Sequence, residues 1–252
     1  METLFIGKNT IFLPEIGSTN SYATDLLKNV NLSEGTVVHT ANQTQGRGQR
    51  GNSWNAEPAS NLTASIILKP GFLNIKKQFF LYQVAALACY DTLAELLKTS
   101  HFDIKIKWPN DLLVNRHKIS GILIENNILN NAISSCIIGI GVNVNQKNFE
   151  GGIKATSLKL LTGEDFSVAA VLQLLCSYLE KYYLALKNNK YDWITEMYLS
   201  HFFGLDQWLN FDINGNIEPL LVKGMSDNGL LLLEDRSGYT REVDVQGLKW
   251  VY

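Results

Sequence analysis

Apolar residues return at helical spacing over 76–98, where Phe79, Phe80, Tyr82, Val84, Ala85, Leu87, Ala88, Leu93 and Leu97 predict a long, largely buried helix backing a sheet. A shorter stripe, Tyr22, Ala23, Leu26 and Leu27, predicts a second helix running to Asn29. The turn-forming Gly17-Ser18-Thr19-Asn20 ahead of it puts a polar cluster at that helix's N-terminus. Two further helices are expected over 168–187 and 191–203. β-Branched and alternating stretches predict strands over 36–41, 62–68, 104–107, 119–125 and 134–145. The third and fourth of these are joined by Trp108-Pro109-Asn110-Asp111-Leu112-Leu113-Val114 and a basic turn, Asn115-Arg116-His117-Lys118. Residues 42–61 form a glycine- and polar-rich loop, long enough to mark function or disorder. From about Leu205 the texture changes to short strands separated by Asn214-Gly215, Asp227-Asn228-Gly229 and Ser237-Gly238, which predicts a small β-barrel. A boundary near Gly204 then divides the chain into domains at 1–203 and 204–252.

Composition narrows the possibilities. A chain of 252 residues, 46% hydrophobic, can bury one sizeable core and leave a short piece for a second domain. Its formal charge of -2 creates no whole-protein field to gather nucleic acid or an anionic membrane. The longest apolar runs are interrupted by polar residues, and Met1-Glu2-Thr3 lacks a basic flank, so a cytoplasmic protein with no membrane partner is expected. Cys89, Cys136 and Cys176 are widely spaced within apolar stretches and read as buried, reduced thiols. The four histidines show no ligand spacing, which argues against a structural metal site.

Four segments carry candidate chemistry. Gly46-Arg47-Gly48-Gln49-Arg50-Gly51, with Gln43 before it and Trp54 after it, lets backbone N–H groups approach an anion while two arginines supply charge; taken alone it reads better as a flexible surface loop with solvated arginines. It is neither a dinucleotide fingerprint nor a P-loop, since no helix follows and no Lys-Ser or Lys-Thr closes it. In Lys107-Trp108-Pro109-Asn110-Asp111 the proline restrains the backbone that aims Asn110 and Asp111, a pair suited to holding magnesium beside phosphates or orienting a ribose, or to an ordinary turn. In the strand from Lys118 to Glu125, alternation puts Ile119, Gly121, Leu123 and Glu125 on one face, with glycine leaving room for a ligand and Lys118 at the entrance to neutralise two anions. Gly139-Ile140-Gly141-Val142-Asn143-Val144-Asn145 passes from glycines to amides, which suits a ligand or an exposed strand end.

In this order the segments resemble the biotin–protein ligase family, in the form confined to the catalytic domain. The resemblance runs from Gly17 to Asn145 and more faintly through the C-terminal part. It implies an α+β fold, a mixed sheet flanked by helices like the core of class II aminoacyl-tRNA synthetases, followed by a small SH3-like β-barrel. It implies biotin as substrate, ATP and Mg2+ as co-substrates, and a biotin carboxyl carrier protein or domain as partner, with the ligase a monomer or weak homodimer. Carried over to this chain, Ser18, Thr19, Asn20 and Gln43 would face biotin's ureido ring, Arg47, Gly48 and Gln49 would close over its carboxylate end, and Gly121 and Gly139 would give it room. Lys118 would touch the carboxylate and the α-phosphate, while Arg50, Trp54, Asn110, Asp111 and Asn143 would make the nucleotide side. Lys118, Arg47 and Asp111 take the catalytic roles, and no preformed metal site is expected beyond a contact from Asp111 to magnesium carried by ATP. The sequence departs from the family at Gln49, where a second arginine often stands; neighbouring Arg50 would have to replace that contact to the adenylate. Relatives that double as repressors carry an N-terminal helix-turn-helix domain, and with the motif starting at Ser18 no DNA-binding role is expected. The alternatives are a lipoate or octanoate ligase or transferase of the same fold, and a non-catalytic nucleotide- or RNA-binding module.

Overall fold

A computed structural model describes residues 2–98, 101–149 and 154–251. The first part builds a seven-stranded sheet from β1 (Thr10–Ile16), β2 (Val37–Gln43), β3 (Leu62–Leu68), β4 (Ile104–Lys107), β5 (Asp111–Val114), β6 (His117–Leu129) and β7 (Ala132–Val142). Their order is β1-β2-β3-β7-β6-β5-β4; β1 and β2 run parallel and every other pair antiparallel, so the sheet is mixed as expected. β1 carries Pro14, which reads against a strand, and local pattern does not predict it; it is tolerated because β1 is an edge strand. β5 is likewise a strand where a connecting turn was expected, because pairing with both β4 and β6 supplies hydrogen bonds that four residues cannot organise alone.

Helices cover both faces. α1 (Thr19–Asn29) starts at Ser18, whose hydroxyl caps it by accepting from Ser21 N–H at 3.4 Å. It packs Ala23 against Val38, Ile67 and Ile137 on one face. α2 (Phe79–Leu97) and, after a short α3 (Leu158–Thr162), α4 (Val168–Lys187) pack on the other face over Ile66, Leu68, Ile138 and Ile140. β3 is buried at all seven positions, with Leu62, Ala64, Ile66 and Leu68 on one side and Thr63, Ser65 and Ile67 on the side of α1. The stretch 75–97 is long and apolar enough to cross a membrane, yet 61% of its apolar window is buried inside the fold, as in a core helix. α5 (Tyr191–Ser200) leads into residues that close the β4 edge: Ile106 N–H donates to His201 O at 2.8 Å and Phe203 N–H to Ile106 O at 2.9 Å.

The rest of the chain forms a separate five-stranded antiparallel sheet, β8 (Trp208–Ile213), β9 (Asn216–Met225), β10 (Leu231–Glu234), β11 (Thr240–Val243) and β12 (Leu248–Val251), in the order β11-β10-β9-β8-β12. This is the small C-terminal β-unit expected from the turn pattern. Its β9–β10 turn plugs into the larger part. Gly229 O accepts a buried hydrogen bond from Trp108 Nε1–H at 2.9 Å, and Gly229 holds φ +80 with no room for a side chain, since an added Cβ would lie 2.3 Å from Phe79. Gly229→Ala combines left-handed backbone strain with overlap, a cost of about 2–4 kcal/mol. Thermal denaturation is expected to show a midpoint lower by roughly 5–15 °C; an unchanged midpoint would mean that the turn does not dock here in solution.

The three cysteines are free and buried. Burial pushes the Cys89 and Cys176 thiols up to about 12 and raises that of Cys136 as well. Because a raised pKa keeps the thiol neutral at ordinary pH, native protein treated with iodoacetamide at pH 8 is expected to gain no carbamidomethyl group, whereas the unfolded chain gains three. Intact mass spectrometry reads the difference directly.

Candidate functional site

A cavity of about 340 Å³ opens on the α1 side of the larger sheet, bounded by the 46–54 loop, the β4–β5 turn and the C-terminal sheet. Gln43, at the end of β2, opens one side. Its Oε1 accepts from Thr19 N–H at 2.9 Å, so the strand end and the start of α1 are tied together. Ser65 Oγ lies 2.8 Å from Thr19 Oγ1 and 2.6 Å from Asn20 Oδ1; the amide oxygen can only accept, so the Ser65 proton goes to Asn20, while the Thr19 hydroxyl stands between Ser65 Oγ and Gln43 Oε1, the latter at 3.2 Å. Asn20 Nδ2 then donates to Glu125 Oε2 at 2.8 Å, and Arg47 Nη2 donates to both Glu125 oxygens at 2.8 and 2.7 Å. Thr19 and Asn20 are thus buried and fully directed, whereas the Arg47–Glu125 pair is half-exposed at the rim.

The glycines of β6 and β7 make the floor. A Cβ at Gly139 would sit 2.3 Å from Asn20 Oδ1, and a Cβ at Gly141 would sit 2.3 to 2.8 Å from three atoms of the Trp54 indole. Gly139 gives its space to the Asn20 amide, and Gly141 lets the Trp54 ring approach the sheet closely with Gly121 beside it. Trp54 Nε1–H is buried there with no acceptor among the described residues. The main chain fixes the indole: Trp54 N–H donates to Gly46 O at 2.9 Å, and Arg47 pairs with Ser53 across the loop.

Lys118 reaches this floor through a bulge. Leu112 pairs with Ser120 and Leu113 with Lys118, so Ile119 is skipped and Lys118 falls on the face of Gly121 and Asp111. Ile119, expected on that face with Gly121, Leu123 and Glu125, is instead buried in the core. Lys118 Nζ stands 2.7 Å from Asp111 Oδ1 and 5.7 Å from the Trp54 ring centre. Asn110 is held by its neighbour strand, with Asn110 Nδ2 donating to Ile122 O and Ile122 N–H to Asn110 O, both at 2.9 Å.

Every candidate except Asn143 lines this one cavity. Asn143 lies behind Trp54, on an adjacent cavity of about 460 Å³ that shares Ser53, Trp54 and Lys118 with the first. Its amide donates to Thr156 O at 2.9 Å and so holds the chain beyond β7. Arg50 does not stand free to replace a loop arginine: it forms an ion pair with Asp244 of the C-terminal sheet, and Gln49 Nε2 donates to Tyr82 OH at 3.2 Å. Sequence reasoning passed over Lys107, Thr63 and Gly141, and also Val245, Leu248 and Trp250, which bring the C-terminal sheet to the cavity wall. Lys107 and Gly141 sat inside motifs already singled out; the C-terminal residues gave no local signal. Burial pulls the Lys107 ammonium below the ordinary lysine range, with Asp111 opposing and Lys118 adding to the shift. No group of three or more His, Cys, Asp or Glu is placed to hold a metal ion among the described residues.

Comparison with known proteins shows the family. The biotin/lipoate A/B protein ligase family matches residues 12–143. The bifunctional ligase/repressor BirA of Bacillus spizizenii is 32% identical over 243 residues, which cover 94% of this chain and 73% of that one. The biotin–[acetyl-CoA-carboxylase] ligase of Paracoccus denitrificans is 29% identical over 90% of this chain and 94% of its own. Among solved structures, biotin protein ligase from Aquifex aeolicus in complex with biotin and ATP superposes with a TM-score of 0.79 at 27% identity, covering 97% of this chain and 99% of that one. With the family match spanning the strands, loop and helix that build the cavity, this chain belongs to the biotin/lipoate A/B protein ligase family.

Proposed function

We propose that this protein is a biotin–protein ligase, which joins biotin to ATP as biotinyl-5′-AMP with release of pyrophosphate and passes the biotinyl group to a lysine of a biotin carboxyl carrier protein or domain. One observation carries the reading: Arg47 and Lys118, far apart along the chain, meet on a single cavity. A carboxylate attacking a phosphate brings two anions together, and positive side chains fixed at the meeting point lower that barrier. The directed polar groups of Thr19, Asn20 and Gln43 suit a small polar ring. In the first half-reaction a biotin carboxylate oxygen bonds to the α-phosphorus of ATP, and the bond from that phosphorus to the bridging oxygen breaks, its electron pair leaving with pyrophosphate. In the second, the carrier lysine's neutral amine bonds to the acyl carbon, the bond from that carbon to the phosphate oxygen breaks with its electron pair leaving on AMP, and the nitrogen gives up a proton to water. Neither step needs a protein nucleophile, so the residues bind, orient and neutralise.

Magnesium fits in one way. Asp111 is a carboxylate lining the cavity and Lys118 already holds it at 2.7 Å, which suits an ion that arrives on ATP and takes its other oxygens from phosphate and water. When bound, it would add charge neutralisation on the phosphates. The relative from Paracoccus is named for acetyl-CoA carboxylase, and a carrier of that kind, in the cytoplasm, is the acceptor we infer.

Incubating a carrier domain with this protein, MgATP and biotin is expected to add one biotinyl group by intact-mass analysis, and lipoate in place of biotin is expected to add nothing. A carrier that gains lipoyl and not biotinyl would overturn the reading.

A further inference from the structure

We propose that Lys107 is a second cation of the reaction site, which receives the β- and γ-phosphates of ATP and holds pyrophosphate as it departs. The inference rests on the ligase reading above and adds the position of the leaving group. Pairing across the sheet sets out a single row: Thr63 on β3 opposite Gly141 on β7, Gly141 opposite Gly121 on β6, Gly121 opposite Asp111 on β5, and Asp111 opposite Lys107 on β4. All five residues line the same cavity. Adjacent strands stand roughly 4.8 Å apart, so Lys107 is roughly 10 Å from the Gly121 position along this row.

The row orders the chemistry. Gln43, Thr19 and Asn20 stand by Gly139, two residues along β7 from Gly141; Lys118 packs against Gly121, and Lys107 stands beyond Asp111 across the sheet, where its amine lies 6.0 Å from the Trp250 ring of the C-terminal sheet. In a displacement at the α-phosphorus, the attacking carboxylate and the leaving oxygen are roughly in line on opposite sides. If the carboxylate comes from the Gln43 end and Lys118 meets it at the α-phosphate, pyrophosphate leaves toward Asp111 and Lys107. A triphosphate brings several negative charges, and Lys107 is a cation on the cavity wall on the side where they would lie.

The test uses the full chain and its Lys107→Met and Lys107→Arg variants, with inorganic pyrophosphate as the probe. The pyrophosphate concentration giving half-maximal biotin-dependent ATP–pyrophosphate exchange is expected to rise about tenfold to a hundredfold in Lys107→Met and to return most of the way in Lys107→Arg. Affinity for a biotinyl-adenylate analogue with a sulfamoyl linker, which lacks the β- and γ-phosphates, is expected to stay within about twofold. An unchanged pyrophosphate dependence in Lys107→Met overturns the proposal, and so does an equal loss of analogue affinity, which would make Lys107 a support of the cavity as a whole. Absence of biotin-dependent exchange in the unaltered protein would refute the ligase reading itself, an outcome distinct from either.

Discussion

Lys118→Ala is expected to slow biotin-dependent ATP–pyrophosphate exchange roughly 10²–10³-fold while leaving biotin affinity within a few-fold of the unaltered protein. The asymmetry follows from where charge develops. In the ligand-free site the Lys118 ammonium is matched by Asp111 at 2.7 Å, so much of its charge is already balanced before the reaction starts. As the carboxylate closes on the α-phosphate, a cation at the meeting point gains attraction that neither substrate offers alone, and this differential raises the rate. Alanine removes the attraction and also leaves the Asp111 carboxylate facing the phosphates, which adds repulsion to the loss. Lys118→Arg keeps the charge but swaps a compact ammonium for a planar fork, and an intermediate rate is expected. Exchange by Lys118→Ala at a near-normal rate would remove Lys118 from the chemistry.

Gly141→Ala is expected to cost almost as much by a steric route. A single methyl would overlap Trp54 Cε2, Cζ2 and Nε1 at 2.3, 2.4 and 2.8 Å, three atoms of one rigid ring that must move together. The ring must lift, and Trp54 is joined through its own N–H to Gly46 O, so lifting it disturbs the loop that carries Arg47. Overpacking of this kind costs about 1–3 kcal/mol. The expected outcome is a thermal midpoint lower by roughly 2–10 °C, together with a rise of about tenfold or more in the biotin concentration needed for half-maximal exchange. Gly121→Ala is the internal comparison, because its Cβ would meet the Trp54 ring at 3.2 Å and the flexible end of Lys118, and a milder effect should follow. Equal effects at both positions would mean that Trp54 is not seated on the glycine floor in solution.

Much of the fold is legible because its long elements repeat one pattern over many residues. The strands at 62–68 and 104–107 and the helix at 168–187 coincide with the expected bounds. Short elements depend on partners far away in the chain and escape the pattern. β1 contains a proline and is stabilised only as an edge; β5 has four residues, and its identity as a strand comes from its two neighbours. The 46–54 loop shows the same limit. Its arginines and glycines mark it as a place for an anion, but their spacing says nothing of Glu125 and Asp244, which hold Arg47 and Arg50.

By itself the sequence determined the inventory of the site: which glycines, amides and cations the chain possesses, in what order, and that they sit at strand ends and helix starts. Those properties are local, set by side-chain chemistry and by a period of 2 or 3.6 residues. Tertiary structure alone decided which groups share a face and which stand opposite. One skipped residue at Ile119 turns Lys118 from the core side to the cavity side, and strand pairing places Lys107, Asp111, Gly121 and Gly141 in a row although 34 residues separate the first from the last. The docking of a second sheet brings Val245, Leu248 and Trp250 to the wall of a cavity whose floor lies in the first. Register and docking are fixed by the summed burial and hydrogen bonding of the whole sheet, a quantity that no short segment contains.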